Sequence, residues 1–154
     1  MNLTRGFQLD SPEVFVPWDV SQVGLKKCFG WYGSLRLRKT SEGEYTYRCK
    51  SLGGLSHYIV FRFIPTSSNN LAELAFYKKS DFGTNWGLFQ RHLEGAFGEP
   101  TTRNDKLDCS WEFDDVCIRH VVRERIGPEE LLTITHTSNV VKPTTIVHAT
   151  VIQV

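Results

Sequence analysis

The chain lacks an excess of charge of either sign: across 154 residues, 18 Lys and Arg face 17 Asp and Glu, a formal net charge of +1. A dedicated nucleic-acid binder usually carries a marked basic surplus, so near-neutrality argues against one. No stretch approaches the ~18 consecutive apolar residues of a membrane span. The opening Met1–Asp10 lacks the apolar core of a secretory signal. Cysteine is sparse, at Cys28, Cys49, Cys109 and Cys117, with no CxxC pair. That spacing argues against structural zinc, and four unpaired thiols suit a reducing cytoplasm. His57, His92, His120, His136 and His148 form no HxH or HxxxH pair. The Gly30-Trp31-Tyr32-Gly33 and Gly53-Gly54 runs lack the Lys-Ser/Thr or GxGxxG pattern of a phosphate cradle, and read as loop glycines with positive φ. No metal, cofactor or small-molecule substrate is implied.

What is present is ordinary globular composition, 40% hydrophobic and 23% charged, enough for one real core. A first short helix is expected after Trp18. Asp19 serves as N-cap with Gln22 reaching back, and Trp18 and Val23 form a hydrophobic staple. Leu25, Cys28 and Phe29 continue its stripe, Lys26 and Lys27 suit its C-terminal end, and Gly30 stops it. Alternation then marks strands in which Leu35 and Leu37 face inward and Arg36 and Arg38 outward, followed by Tyr45/Tyr47/Cys49, Tyr58–Ile64 and Leu71–Tyr77. Trp86, Phe89, Leu93 and Phe97 recur at helical spacing, with Gly98 and Pro100 ending that helix. Leu107–Phe113, Val116–Val122, Glu130–His136 and Thr144–Val151 read as further strands, with breaks at Asp114-Asp115 and Gly127-Pro128. The expected fold is α+β, with two short helices packed on one face of an antiparallel sheet in a single domain over 1–154. A duplicated helix-plus-four-strand unit, with halves 13–80 and 84–153, gives the same layers.

Candidate chemistry is thin. With the turn at Asp114-Asp115, Cys109 faces His120 while Cys117 points to the opposite side, which disfavours a Cys109–Cys117 disulfide. Cys109 shares its face with Trp111, Phe113 and Ile118, a core stripe. A buried structural thiol is therefore the better reading than a nucleophile. The adjacent pairs Asp114-Asp115 and Glu129-Glu130 suit turns rather than paired acid–base catalysis.

The strongest remaining feature is the basic, aromatic stretch from Lys26 to Lys50. It holds Lys26, Lys27, Arg36, Arg38, Lys39, Arg48 and Lys50 interleaved with Trp31, Tyr32, Tyr45 and Tyr47. Arg, Tyr and Trp dominate protein–protein hot spots. The same residues can also track single-stranded nucleic acid. The expected partner-binding residues are Trp31, Tyr32, Arg36, Arg38 and Arg48.

Two segments, Phe7-Gln-Leu-Asp-Ser-Pro-Glu-Val-Phe-Val-Pro-Trp-Asp-Val-Ser and Leu88-Phe-Gln-Arg-His-Leu-Glu-Gly-Ala-Phe-Gly-Glu-Pro, carry a resemblance. The first resembles the opening of small bacterial immunity proteins of polymorphic or contact-dependent toxin systems. The second resembles the helix-then-FGxP element of such α+β domains. The resemblance implies a cytoplasmic, non-enzymatic protein that occludes a cognate toxin's active site or blocks its access to a target. Immunity proteins share no catalytic residues, so the resemblance assigns none. An RNA- or single-strand-binding module and a small enzyme with a cryptic Cys/His site are the alternatives.

Overall fold

The computed structural model describes residues 3–64, 70–77, 88–105, 108–124 and 128–139. It begins with a hairpin that the sequence reading did not anticipate, β1 (Gly6–Leu9) paired antiparallel with β2 (Val14–Pro17). Phe7, Leu9, Val14 and Val16 are its buried side chains. Asp10, in the turn, accepts the backbone N–H of Gly53 and Gly54 at 3.1 and 2.8 Å, which ties the hairpin to a second turn far along the chain.

Helix α1 (Gln22–Cys28) starts later than expected. Ser21, not Asp19, is the N-cap, accepting the Gly24 N–H at 3.1 Å. The staple does not form either: Trp18 is buried, its indole N–H donating to the Leu3 carbonyl at 2.7 Å, whereas Val23 is 69% exposed. Gly30 has φ +63° and ends α1. The chain then turns once more as α2 (Gly30–Ser34), so Gly33 is helical rather than a loop glycine.

An eight-stranded sheet follows, formed by β3 (Arg38–Ser41), β4 (Glu44–Ser51), β5 (Leu55–Phe63), β6 (Leu71–Tyr77), β7 (Thr102–Asp105), β8 (Asp108–Phe113), β9 (Val116–Glu124) and β10 (Pro128–His136). Its order is β3-β4-β5-β6-β10-β9-β8-β7, with every neighbouring pair antiparallel. Two four-strand meanders thus meet where β6 pairs with β10. The fold is α+β, as expected, but its parts differ: among the described residues there are three helices rather than two, because Gly30–Ser34 adds a turn; the β1–β2 hairpin is extra; and the second meander opens at Thr102. Thr144–Val151, Leu107, Trp86 and Gly127 lie outside the described residues, and Pro128 opens β10 two residues before the expected start.

Directly paired residues share a face of the sheet. Tyr47, Ile59, Phe76, Leu132, His120 and Cys109 form one such row. Among the described residues, Phe29, Phe7 and helix α3 pack on that side. The Phe29 ring lies 4.5 Å from Tyr47 and 5.8 Å from Phe61. Phe7 meets Phe76 edge-on at 5.3 Å. Helix α3 (Leu88–Phe97) buries Phe89 and Leu93 completely, and Gly98 (φ +78°) closes it as expected. The Trp111 indole N–H donates to the Gly98 carbonyl at 2.8 Å, fastening that helix end to β8.

Candidate functional site

The expected contact residues do not form one surface. Trp31 and Tyr32 lie on α2, and Arg36 closes its last turn, donating its backbone N–H to the Gly33 carbonyl at 3.0 Å. Arg38 pairs with Thr46, and Arg48 lies two residues along β4 from Thr46. Since Tyr45 and Tyr47 point to the helix-bearing side, Arg38 and Arg48 project from the opposite face, with Arg48 beside Tyr58. The structure therefore separates Trp31, Tyr32 and Arg36 from Arg38 and Arg48.

Burial sharpens the division. Tyr45 and Tyr47 are 6% and 5% exposed and Phe29 is buried with them, so three of the five aromatics between Lys26 and Lys50 are core. Trp31 is 77% and Tyr32 84% exposed. Leu35, expected to be an inward strand residue, is instead 69% exposed at the end of α2, while Leu37 is buried as expected. Seven large apolar side chains are left exposed among the described residues, and Val23, Trp31, Tyr32 and Leu35 of the α1–α2 segment are four of them. Keeping a Trp and a Tyr in water forgoes a few kcal/mol of burial at roughly 25 cal/mol per Å². All four lie between residues 23 and 35.

The α2 turn is held from beneath. A Cβ placed on Gly33 would stand 3.0 Å from Phe29 Cβ, so Gly33 is the residue that lets the turn rest on the core. The Ser34 hydroxyl donates to the Trp31 carbonyl at 2.8 Å, and the Leu37 N–H donates to the Ser34 carbonyl at 3.3 Å. The result is a short helical knuckle, closed by its own hydrogen bonds, whose exposed Trp31, Tyr32 and Leu35 form an apolar crown.

The buried polar groups make a different arrangement. The Ser51 hydroxyl is 2.6 Å from His57 Nε2, and Cys49 Sγ lies 3.9 Å from the same ring. Burial pushes the Cys49 thiol up to about 12 and the His57 imidazole down to about 4. Across the Phe89 ring, 6.2 Å from His57 and 6.3 Å from His120, sits a second group. The Gln90 amide donates to Glu94 at 2.6 Å, which leaves its carbonyl oxygen to accept from His120 Nδ1–H at 2.9 Å. His120 Nε2 lies 3.4 Å from Glu130 Oε2, and that same oxygen accepts the Phe89 N–H at 3.2 Å. Glu130 thus receives a first-turn N–H of α3, where a carboxylate is favoured.

Cys109 does face His120, as the register predicted, and Cys117 points away. Cys109 is 1% exposed and its thiol is raised by burial, the reverse of an activated nucleophile. His57, Ser51, His120 and Glu130 are likewise closed to solvent. These groups pin α3 to the sheet. Among the described residues no three His, Cys, Asp or Glu side chains come together as a metal site, and no helix is long and apolar enough to cross a membrane.

No family model, curated protein or solved structure matches this chain.

Proposed function

We propose that the chain is a non-enzymatic protein-binding protein that neutralises a cognate bacterial toxin, and that α2 is its docking element. The observation that carries the binding half is the apolar crown of Trp31, Tyr32 and Leu35, left exposed on α2 with Arg36 next in the chain. Trp, Tyr and Arg are the residues that supply most interface energy when desolvated. The toxin half draws on the likeness of residues 7–21 and 88–100 to immunity proteins. In the fold these segments are the β1–β2 hairpin, the Ser21 cap of α1, and α3 with the turn after it. The two meanders, each preceded by helix and meeting at β6–β10, support reading the chain as a duplicated unit with one knuckle.

Arg38 and Arg48, on the other face, fall outside this surface, so the assignment narrows to Trp31, Tyr32, Leu35 and Arg36. Co-expression with a candidate toxin domain drawn from the gene's neighbourhood tests the reading. The intact chain should restore growth, and the Trp31→Ala/Leu35→Ala double variant should not. Absence of rescue by the intact chain, or full rescue by the variant, would refute it.

A further inference from the structure

The charge around the knuckle is one-sided. From Val20 to Ser41 the chain carries Lys26, Lys27, Arg36, Arg38 and Lys39 and no acidic residue. Lys26 is drawn over the Tyr45 ring at 5.9 Å, and Lys39 is neutralised by Glu42 at 2.7 Å. Lys27, in the last turn of α1, and Arg36, in the closing turn of α2, are exposed and make no ion pair among the described residues. Two uncompensated cations therefore flank the apolar crown, one on each side of α2 in the chain.

Resting on the reading of α2 as a docking element, we propose that the partner's surface is a protein cleft, apolar at its floor and acidic at its rim. The crown fills the floor while Lys27 and Arg36 meet the rim. Charge complementarity selects this occupant over the others. A second copy of the chain, docked two-fold on the same patch, would bring Lys27 and Arg36 against their own like charges. A cleft that handles phosphate chains is itself basic and would be repelled. Nucleic acid has phosphates for the cations but nothing for Leu35 and Val23, and the two tyrosines that would extend a stacking track are buried.

The test uses the full chain with a photo-crosslinking residue in place of Tyr32, in the cell that makes it, followed by salt-dependent kinetics on the captured protein. The crosslink should fall beside Asp and Glu residues of the partner. Lys27→Glu/Arg36→Glu should slow association at least about tenfold near 50 mM salt, with the difference shrinking toward parity near 500 mM as the charges are screened. Trp31→Ala should instead speed dissociation at every salt concentration. If Trp31→Ala weakens binding but the charge reversals leave it unchanged or tighter, the acidic-rim proposal fails and the docking reading stands. If neither change matters, or no protein is captured at Tyr32, both fail. Capture abolished by nuclease treatment would make the partner a nucleic acid and overturn the proposal.

Discussion

Gly33 lies close against Phe29: a Cβ there would stand 3.0 Å from Phe29 Cβ and 3.5 Å from its Cδ1, tight enough that Phe29 would have to give by a few tenths of an ångström. Phe29 in turn packs on Tyr47 and Phe61 of the sheet, so this contact ties α2 to the core. Gly33→Val should lift or rotate the turn. The expected outcome is a modest loss of stability, about 1–2 kcal/mol by denaturant unfolding, with a disproportionate loss of partner affinity.

Helix α3 is held by buried apolar contact as well as by its polar pins. Leu93 and Phe89 are fully buried on the sheet face. Leu93→Ala should destabilise the fold by about 2–5 kcal/mol, read as a lower midpoint in urea at unchanged slope. A near-zero change would mean that α3 does not pack as described.

The strands were legible because half-buried strands write their faces in alternate residues. Tyr45/Tyr47/Cys49 follow from that period, and the Cys109–His120 register from the same period together with the Asp114-Asp115 turn. Leu35-Arg36-Leu37-Arg38 has the same period and misleads, because a turn of helix fits there once Gly30 takes φ +63° and Gly33 lies flat on Phe29. The docking crown was therefore only half visible: Trp31 and Tyr32 were found, and Leu35 was assigned to the core. Arg38 and Arg48 were grouped with them by proximity in sequence, which cannot tell the two faces of a sheet apart. The β1–β2 hairpin was hidden by its brevity, four residues a strand, and by Pro12 and Pro17. Asp19 and Ser21 are both able caps. Ser21 prevails because it bridges Asn70 and so fixes where the helix departs.

The buried imidazole of His57 makes stability depend on pH. Burial lowers its folded-state value to about 4 from an ordinary 6.5. Between those values the unfolded chain binds the proton and the folded chain does not, so protonation favours unfolding. The contribution of this group is fully present above pH 6.5 and is lost as pH falls toward 4, amounting to roughly 3 kcal/mol at the acid end. Urea titrations between pH 7 and 4 should show this fall, and His57→Phe should flatten it. An equal slope in that variant would assign the acid lability elsewhere.

The thiols should follow their burial. Cys49, raised to about 12, and Cys109, also raised by burial, are both closed to solvent. Neither should react with an aromatic disulfide reagent at pH 8 until the chain unfolds. Rapid native-state labelling of Cys109 would reopen its role as a nucleophile with His120.

The central claim is that the exposed crown of α2 binds a protein and contributes nothing to the fold. The direct measurement pairs unfolding free energy with partner affinity for the Trp31→Ala/Leu35→Ala variant. The account predicts stability within about 0.5 kcal/mol of the parent and affinity weakened at least about 30-fold, the 2 kcal/mol of a hot spot. Unchanged affinity, or a loss of stability large enough to explain the loss of binding, would contradict it.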